Sequence, residues 1–112
     1  MNQLLLSTDV WVGALIRRAE LEGANAVVVK KGDARAGAVI VKAYDTTART
    51  ARLWTEATGQ DGEPLWIQPV ASEFESELDA YLDRQRRYDP DLWIVEIEDR
   101  QGRHFLTEKT QG

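Results

Sequence analysis

The sequence predicts an α+β domain with a mainly antiparallel sheet of about five to six strands and two helices. Two apolar, β-branched runs on either side of a polar loop, within Ala26–Tyr44, predict a β-hairpin. The nearly continuous apolar start of Leu92–Glu98 predicts a buried strand. Apolar residues at helical spacing after residues 7 and 72 predict the two helices. The predicted order is helix, four strands, helix and two strands, in a single domain over residues 1–112.

The first helix is predicted over about residues 8–22. Ser7 or Thr8 can cap its N-terminus, and Asp9 lies near the positive end of the helix dipole. Gly23 stands where a left-handed residue commonly ends a helix. One broad apolar face contains Trp11, Val12, Leu15, Ile16 and Ala19.

The next four elements are predicted strands, of which the first two form the hairpin. Asp61 and Gly62 offer a turn before the fourth strand. Because Pro64 and Pro69 cannot donate ladder hydrogen bonds, this fourth strand is expected to be short or at an edge. The four segments are Ala26–Lys30, Ala38–Tyr44, Thr50–Ala57 and Pro64–Val70.

The second helix has a predicted capping box, in which Ser72 is followed three residues later by Glu75. Acidic residues in its first half and arginines in its last turns match the helix dipole. The helix is expected to end at Asp89-Pro90, because the residue before a proline disfavours helical geometry.

The C-terminal part is predicted to hold two strands. Within Leu92–Glu98, Trp93 alternates with Val95 and Ile97 and is expected in the core. A turn at 99–102 then leads into a final short strand, Arg103–Thr107.

The composition excludes several kinds of site. The chain has no cysteine, which rules out a disulfide framework, a thiolate metal site and a cysteine nucleophile. Its first residues lack a basic segment, and Asp9 interrupts the apolar run, so they do not resemble a signal peptide. No window approaches the roughly 18 uninterrupted apolar residues of a membrane span. We therefore expect a cytoplasmic protein without a membrane partner.

The net charge of −5 is unevenly distributed. Residues 1–55 hold eight lysines and arginines against five acids, whereas residues 56–112 hold six against fourteen. This asymmetry can mark a partner surface or a head-to-tail contact, but we expect that the acidic residues chiefly solvate one helix and some loops.

Three separated phrases resemble a family of small bacterial proteins known as domain of unknown function 1491. The phrases are STDVWVGALIRR (7–18), KKGDARAGAVIVK (30–42) and DPDLWIVEIEDR (89–100), the last followed by GRHFL (102–106). The resemblance extends over almost the whole chain and is weakest over Asp45–Glu63. It implies a cytosolic, single-domain bacterial protein and no activity, cofactor or catalytic residue.

Conventional catalytic groups are scarce. His104 is the only histidine, and Ser7 and Ser72 are accounted for as helix caps, so a nucleophilic hydrolase is not expected. Two carboxylates on one strand face, Glu96 and Glu98, could bind a cation or act as acid and base. The preferred interpretation is a solvated strand face whose acids pair with basic residues on the neighbouring strand, such as Arg103. We expect no cofactor and no metal.

Two binding hypotheses involve lysine and arginine side chains. The loop from Lys30 to Gly37 combines glycines with basic side chains, as phosphate sites do, but it lacks the Walker pattern. The basic first half, with Trp54 and Trp66 as a stacking platform, could instead bind nucleic acid. Against this, the sequence pI is about 4.9.

The preferred hypothesis is a non-catalytic module that binds another protein or a copy of itself. The alternatives are a nucleic-acid-associated accessory protein and a small carboxylate- or metal-dependent enzyme built around Asp89, Asp91, Glu96 and Glu98. The predicted partner surface joins the first helix to the hairpin loop and consists of Trp11, Arg17, Arg18, Lys31, Asp33 and Arg35.

Overall fold

The computed structural model describes residues 6–111 and contains two helices and five strands in one mixed sheet. The α+β class is therefore confirmed. No helix in this part of the chain is long and apolar enough to cross a membrane. In chain order the elements are α1 (Thr8–Leu21), β1 (Asn25–Lys30), β2 (Val39–Asp45), β3 (Thr50–Thr58), β4 (Pro64–Ile67), α2 (Glu75–Tyr88) and β5 (Trp93–Asp99).

The strand order in the sheet is β1-β5-β2-β3-β4. Most neighbours are antiparallel, as predicted, and the parallel β2–β5 pair makes the sheet mixed. β4 is shorter than the predicted Pro64–Val70 and lies at an edge, which confirms the expectation drawn from its prolines.

The predicted hairpin within Ala26–Tyr44 is wrong, because β5 lies between β1 and β2. The segment Leu92–Val95 is buried on both faces of the sheet and therefore takes a central position with a neighbour on each side. The connection from β1 to β2 crosses the end of β5. There the Asp33 N–H donates to the Asp91 carbonyl oxygen at 3.0 Å.

The first helix has the predicted start and stop. Ser7 is its N-cap, although its hydroxyl donates to Asp9 and makes no capping bond to the backbone. Gly23 has a φ of 88°. Its N–H donates to the Glu20 carbonyl oxygen, and the Ala24 N–H donates to that of Ala19, which together form a Schellman motif. This tight ending returns the chain directly into β1.

The predicted capping box of the second helix is wrong. The N-cap is Phe74, and the Ser72 hydroxyl oxygen accepts the Phe74 N–H in a local turn before the helix. Glu75 is drawn instead to the buried Lys42 of β2. The helix ends with Asp89 as its C-cap, as its sequence predicted.

The predicted last strand, Arg103–Thr107, is also wrong. After the turn at Gly102, which has a φ of 68°, the backbone follows an irregular path. The Leu106 N–H donates to Nδ1 of His104 at 2.9 Å rather than to a strand. Because a side chain takes the place of a ladder partner, the segment does not join the sheet.

The sheet separates two hydrophobic clusters. The first lies between the sheet and α1 and contains all four tryptophans, so the expectation for Trp93 is confirmed. The second lies under α2 and includes Leu78, Leu82, Ile40, Leu53 and Ile94. Each face of the sheet is therefore covered by one helix.

Candidate functional site

The two edges of the sheet differ in whether another segment of the chain covers them. The β4 edge is covered by the C-terminal segment: the Trp66 N–H donates to the Lys109 carbonyl oxygen, and the Gln111 N–H donates to that of Trp66, both at 2.8 Å. A parallel bridge joins Trp66 to Thr110. β1, at the other edge, pairs with β5 alone within residues 6–111.

The hydrogen bonds of β5 determine which backbone groups of β1 face outward. The Trp93 N–H donates to the Ala38 carbonyl oxygen on the β2 side, so the odd-numbered residues of β5 bond toward β2. Its even-numbered residues, Ile94 and Glu96 among them, therefore bond toward β1. In the observed register Glu96 lies opposite Val27. The peptide groups of Asn25 and Val27 thus point inward, and those of the residues between and after them, Ala26 and Val28, point away from the sheet.

The side chains of β1 are unusually apolar for an edge strand. Val27, Val28 and Val29 are 49%, 40% and 46% exposed. Natural edges are more often short, charged or covered. We call the surface formed by residues 25–29, with these valines and the outward peptide groups, the β1 edge.

The ends of the β1 edge carry opposite charges. Glu20 and Glu22 precede the strand and are exposed, and Lys31 follows it and is exposed. Lys30 is occupied, since its ammonium donates to the Pro90 and Leu92 carbonyl oxygens at 2.7 and 2.9 Å. A register shift between Val28 and Lys30 marks a bulge, which limits the regular part of the edge to Asn25–Val28.

Trp11, predicted for the partner surface, lies in the core. It is 4% exposed and stacks on Trp66, with ring centroids 5.2 Å apart. Its Nε1–H donates to Oε2 of Glu108 at 2.9 Å. This corrects the expectation of an exposed ring: α1 covers the sheet with its widest apolar residues, and Trp11 fills the space over β4.

The other predicted surface residues fall into two groups. Lys31, Asp33 and Arg35 lie in the loop at the N-terminus of α1, where the Thr8 N–H donates to the Arg35 carbonyl oxygen. Arg17 is exposed farther along the helix, and beside it the guanidinium of Arg18 donates to the Phe105 carbonyl oxygen. At about 1.5 Å per residue, Arg17 and Arg18 are roughly 13–15 Å from Thr8 along the helix axis. The structure therefore does not bring all the predicted residues into one patch.

The loop proposed for phosphate is closed on the protein itself. The side-chain carboxylate of Asp33 accepts the N–H groups of Arg35 and Ala36. The backbone carbonyl oxygen of Asp33 accepts the Trp93 Nε1–H at 2.7 Å. A Cβ at Gly32 or Gly37 would overlap the Asp91 carbonyl group. These glycines allow the loop to approach the backbone of its neighbour.

A cleft of about 710 Å³ lies beside the C-terminal segment. His104 packs edge-on against Trp54 in it, and burial lowers the pKa of His104 below its ordinary value. The Arg103 guanidinium makes two 2.9 Å bonds to the carboxylate of Asp99 and lies 3.5 Å from Glu22. These hydrogen bonds to Arg103 hold the pKa of Asp99 at about 2. The ionised groups here anchor the segment to α1 and β5.

The candidate carboxylates are also dispersed. Glu96 does not pair with Arg103 as expected but lies 3.8 Å from the ammonium of Lys42, and burial raises the pKa of Glu96. Within the described chain, no three histidines or acids are grouped to hold a metal ion. For the nucleic-acid hypothesis, the predicted stacking platform is buried, since Trp54 and Trp66 belong to the core.

The β1 edge is not predicted from the sequence, because the two apolar runs within Ala26–Tyr44 suggest that β1 pairs with β2. Two signals were present. Three consecutive valines do not alternate with polar residues, and β5, the more continuously apolar strand, needs neighbours on both sides. Together they favour β5 as the central strand and leave β1 outside.

Comparisons with known proteins identify relatives of this fold. A family model described as "Protein of unknown function (DUF1491)" matches residues 6–107. A crystal structure of a DUF1491 family protein from Caulobacter crescentus is 67% identical, with a TM-score of 0.92 and coverage of 95% of this chain and 99% of that one. An NMR structure of a DUF1491 family protein from the same organism is 67% identical, with a TM-score of 0.89 and coverage of 96% and 98%. A solution structure of a protein from A. tumefaciens is 33% identical, with a TM-score of 0.78 and coverage of 96% and 97%. No curated protein matches the chain.

Proposed function

We propose that this chain, which belongs to the DUF1491 family of proteins of unknown function, is a non-catalytic protein-association module. In this proposal the β1 edge accepts an extended segment of a protein partner as an additional strand. Backbone hydrogen bonds supply the attraction in such strand addition, and the side chains beside them supply the selectivity.

The observation that supports this proposal most is the contrast between the two sheet edges. The chain covers the β4 edge with its own residues Lys109–Gln111, whereas within residues 6–111 nothing pairs with the outer side of β1. An open edge exposes unpaired N–H and C=O groups, which is a liability unless a partner covers them. In the part of the chain that the structure describes, only one of the two edges is protected, which is consistent with use of the other.

The apolar character of the β1 edge is the second support. Exposed valines beside outward peptide groups give a partner strand a surface to bury. The bulge after Val28 keeps the pairing short, so the proposed contact is specific and reversible rather than an open-ended stack.

We expect this association to take place in the cytoplasm of a bacterium. The expectation comes from the sequence, which has no cysteine. Fractionation of host cells with an antibody against the chain would test it, and recovery outside the cytoplasmic fraction would contradict it.

The proposed contact can be tested by photo-crosslinking in the host cell. A photoreactive amino acid is placed at Val29 on the β1 edge and, as a matched control, at Tyr88, an exposed apolar residue at the end of α2. We expect a protein adduct through position 29 that position 88 does not give. Mass spectrometry then identifies the attached polypeptide.

A second variant tests whether strand addition is the cause. The Val28 N–H points outward, so Val28→Pro removes a donor from the edge and leaves the β1–β5 hydrogen bonds intact. The adduct through position 29 is expected to disappear in this background. Equal adducts at positions 29 and 88, or an adduct that survives Val28→Pro, would contradict the proposed function.

A further inference from the structure

We infer that the strand added to the β1 edge is β1 of a second copy of this chain, in an antiparallel pair with a two-fold axis at Val27. This inference rests on the proposed function and names its partner. It follows from the register of the outward peptide groups and from the charges at the two ends of the strand.

The outward peptide groups select one register. They belong to Ala26 and Val28, which lie on either side of Val27. When two copies pair antiparallel about Val27, Ala26 of one chain lies opposite Val28 of the other, and each such pair exchanges both backbone hydrogen bonds. An axis at Val28 would instead place Ala26 opposite Lys30, whose peptide group faces β5. The register about Val27 therefore uses both outward groups.

The charges favour the same arrangement. Pairing about Val27 brings the end of β1 that Lys31 follows in one chain toward the start of β1 that Glu22 precedes in the other. Both charged side chains are exposed, and Glu22 also lies 3.5 Å from Arg103 of its own chain. Because the strand has an acidic approach and a basic exit, antiparallel pairing brings unlike charges together twice, whereas parallel pairing would bring like charges together. The symmetric interface is closed and joins two chains only.

A cysteine trap tests this register directly. Residues on the two-fold axis oppose themselves as a non-hydrogen-bonded pair, with Cα atoms about 4.5 Å apart, which is within disulfide range. Since the chain has no native cysteine, Val27→Cys introduces the only thiol. Val29→Cys is the matched control, because Val29 is similarly exposed. In the same register the two copies of position 29 are offset by roughly 13 Å along the strands, too far for a disulfide.

We expect Val27→Cys to form a disulfide-linked dimer several-fold faster than Val29→Cys under mild oxidation. Equal rates, or no dimer from either variant, would overturn the inference. Because the disulfide is covalent, the trap detects an association that is weak at micromolar concentration.

A charge pair of variants provides an independent measurement. In Val27→Lys the new ammonium lies opposite Glu96 within its own chain, so the fold is retained. Across the two-fold axis, however, it faces the same lysine of the second copy, and the two like charges repel. In Val29→Lys it faces the neutral Asn25 of the second copy. Sedimentation over a concentration series is expected to show that self-association is lost in Val27→Lys and retained in Val29→Lys. Equal behaviour of the two variants would contradict the register.

Failure of this inference differs from failure of the proposed function. If photo-crosslinking through position 29 yields a different polypeptide and Val27→Cys gives no dimer, the edge binds a partner that is not a second copy. If position 29 gives no adduct beyond the control at position 88, the edge has no partner and both proposals fail.

Discussion

The ammonium of Lys42, on β2, lies 2.7 Å from the carboxylate of Glu75 in the first turn of α2. A second acid of the same helix, Asp79, lies 3.1 Å from it. Lys42 is 4% exposed, so these contacts hold α2 against the sheet through a buried cation. Burial alone would lower the pKa of Lys42, but its hydrogen bonds to Glu75 and Asp79 outweigh burial and raise it. The lysine therefore stays charged.

Removal of this cation is expected to destabilise the fold. Lys42→Ala leaves Glu75, Asp79 and Glu96 facing one another without a cation, at a cost of about 1–3 kcal/mol, since the acids are partly exposed. Arg52→Ala, which breaks the exposed pair with Glu73, is the control and should cost less than about 1 kcal/mol. Urea unfolding followed by circular dichroism measures both. Equal costs would contradict a structural role for Lys42.

Asp99 is expected to make stability depend on pH in the acid range. Its pKa is lowered from 3.8 to about 2, chiefly by hydrogen bonds to Arg103. A lowered folded-state pKa means that the stabilisation is complete above the unfolded pKa and is lost as the pH falls through the folded one. Relative to Asp99→Asn, the wild type should lose about 1–2 kcal/mol of its advantage between about pH 5 and pH 2, a value reduced because Arg103 is partly exposed. A constant difference over this range would refute it.

Substitution of Trp11 distinguishes a core residue from a surface one. Trp11→Ala removes the stack on Trp66 and leaves the Glu108 carboxylate without its indole donor. The expected cost is about 3–5 kcal/mol in the free energy of unfolding. Arg17→Ala, on the exposed side of the same helix, should change stability by less than about 0.5 kcal/mol. A stable Trp11→Ala protein would return this residue to the list of surface candidates.

Deletion of residues 109–112 is expected to open the second sheet edge. It removes the two 2.8 Å backbone bonds to Trp66. We expect a loss of about 1–3 kcal/mol and new concentration-dependent association, because the β4 edge becomes unpaired. Denaturation and light scattering measure the two effects. As a control, Lys109→Ala keeps the backbone bonds and should change neither; a deletion variant that behaves like it would show that the C-terminal segment does not protect this edge.

Much of the local structure could be predicted from the sequence. The Schellman ending at Gly23, the turn at Gly62 with a φ of 81°, and the shortness of β4 each depend on one or two residues with restricted backbone geometry. Ser72 shows where such reasoning stops. Ser72 and Glu75 match the sequence pattern of a capping box, but Lys42, which is distant in sequence, binds Glu75, and the Ser72 hydroxyl oxygen accepts the Phe74 N–H in a turn before the helix.

The candidate site was harder to predict than the helices. Residues such as Trp11 and Arg18 share a helix, yet one enters the core and the other binds the Phe105 carbonyl oxygen. Their neighbours in space come from the C-terminal segment, for which the sequence predicts a strand. An exposed surface is defined by what remains uncovered, and this depends on every other element of the fold.

By itself, the sequence determined the fold class, the helices and the approximate strands, because periodicity, prolines and glycines act through local geometry. Only the tertiary structure decided that β5 inserts between β1 and β2, because strand order depends on which apolar segments must be covered on both sides. Because β5 takes this central position, Val27, Val28 and Val29 lie on an edge strand rather than in the predicted hairpin.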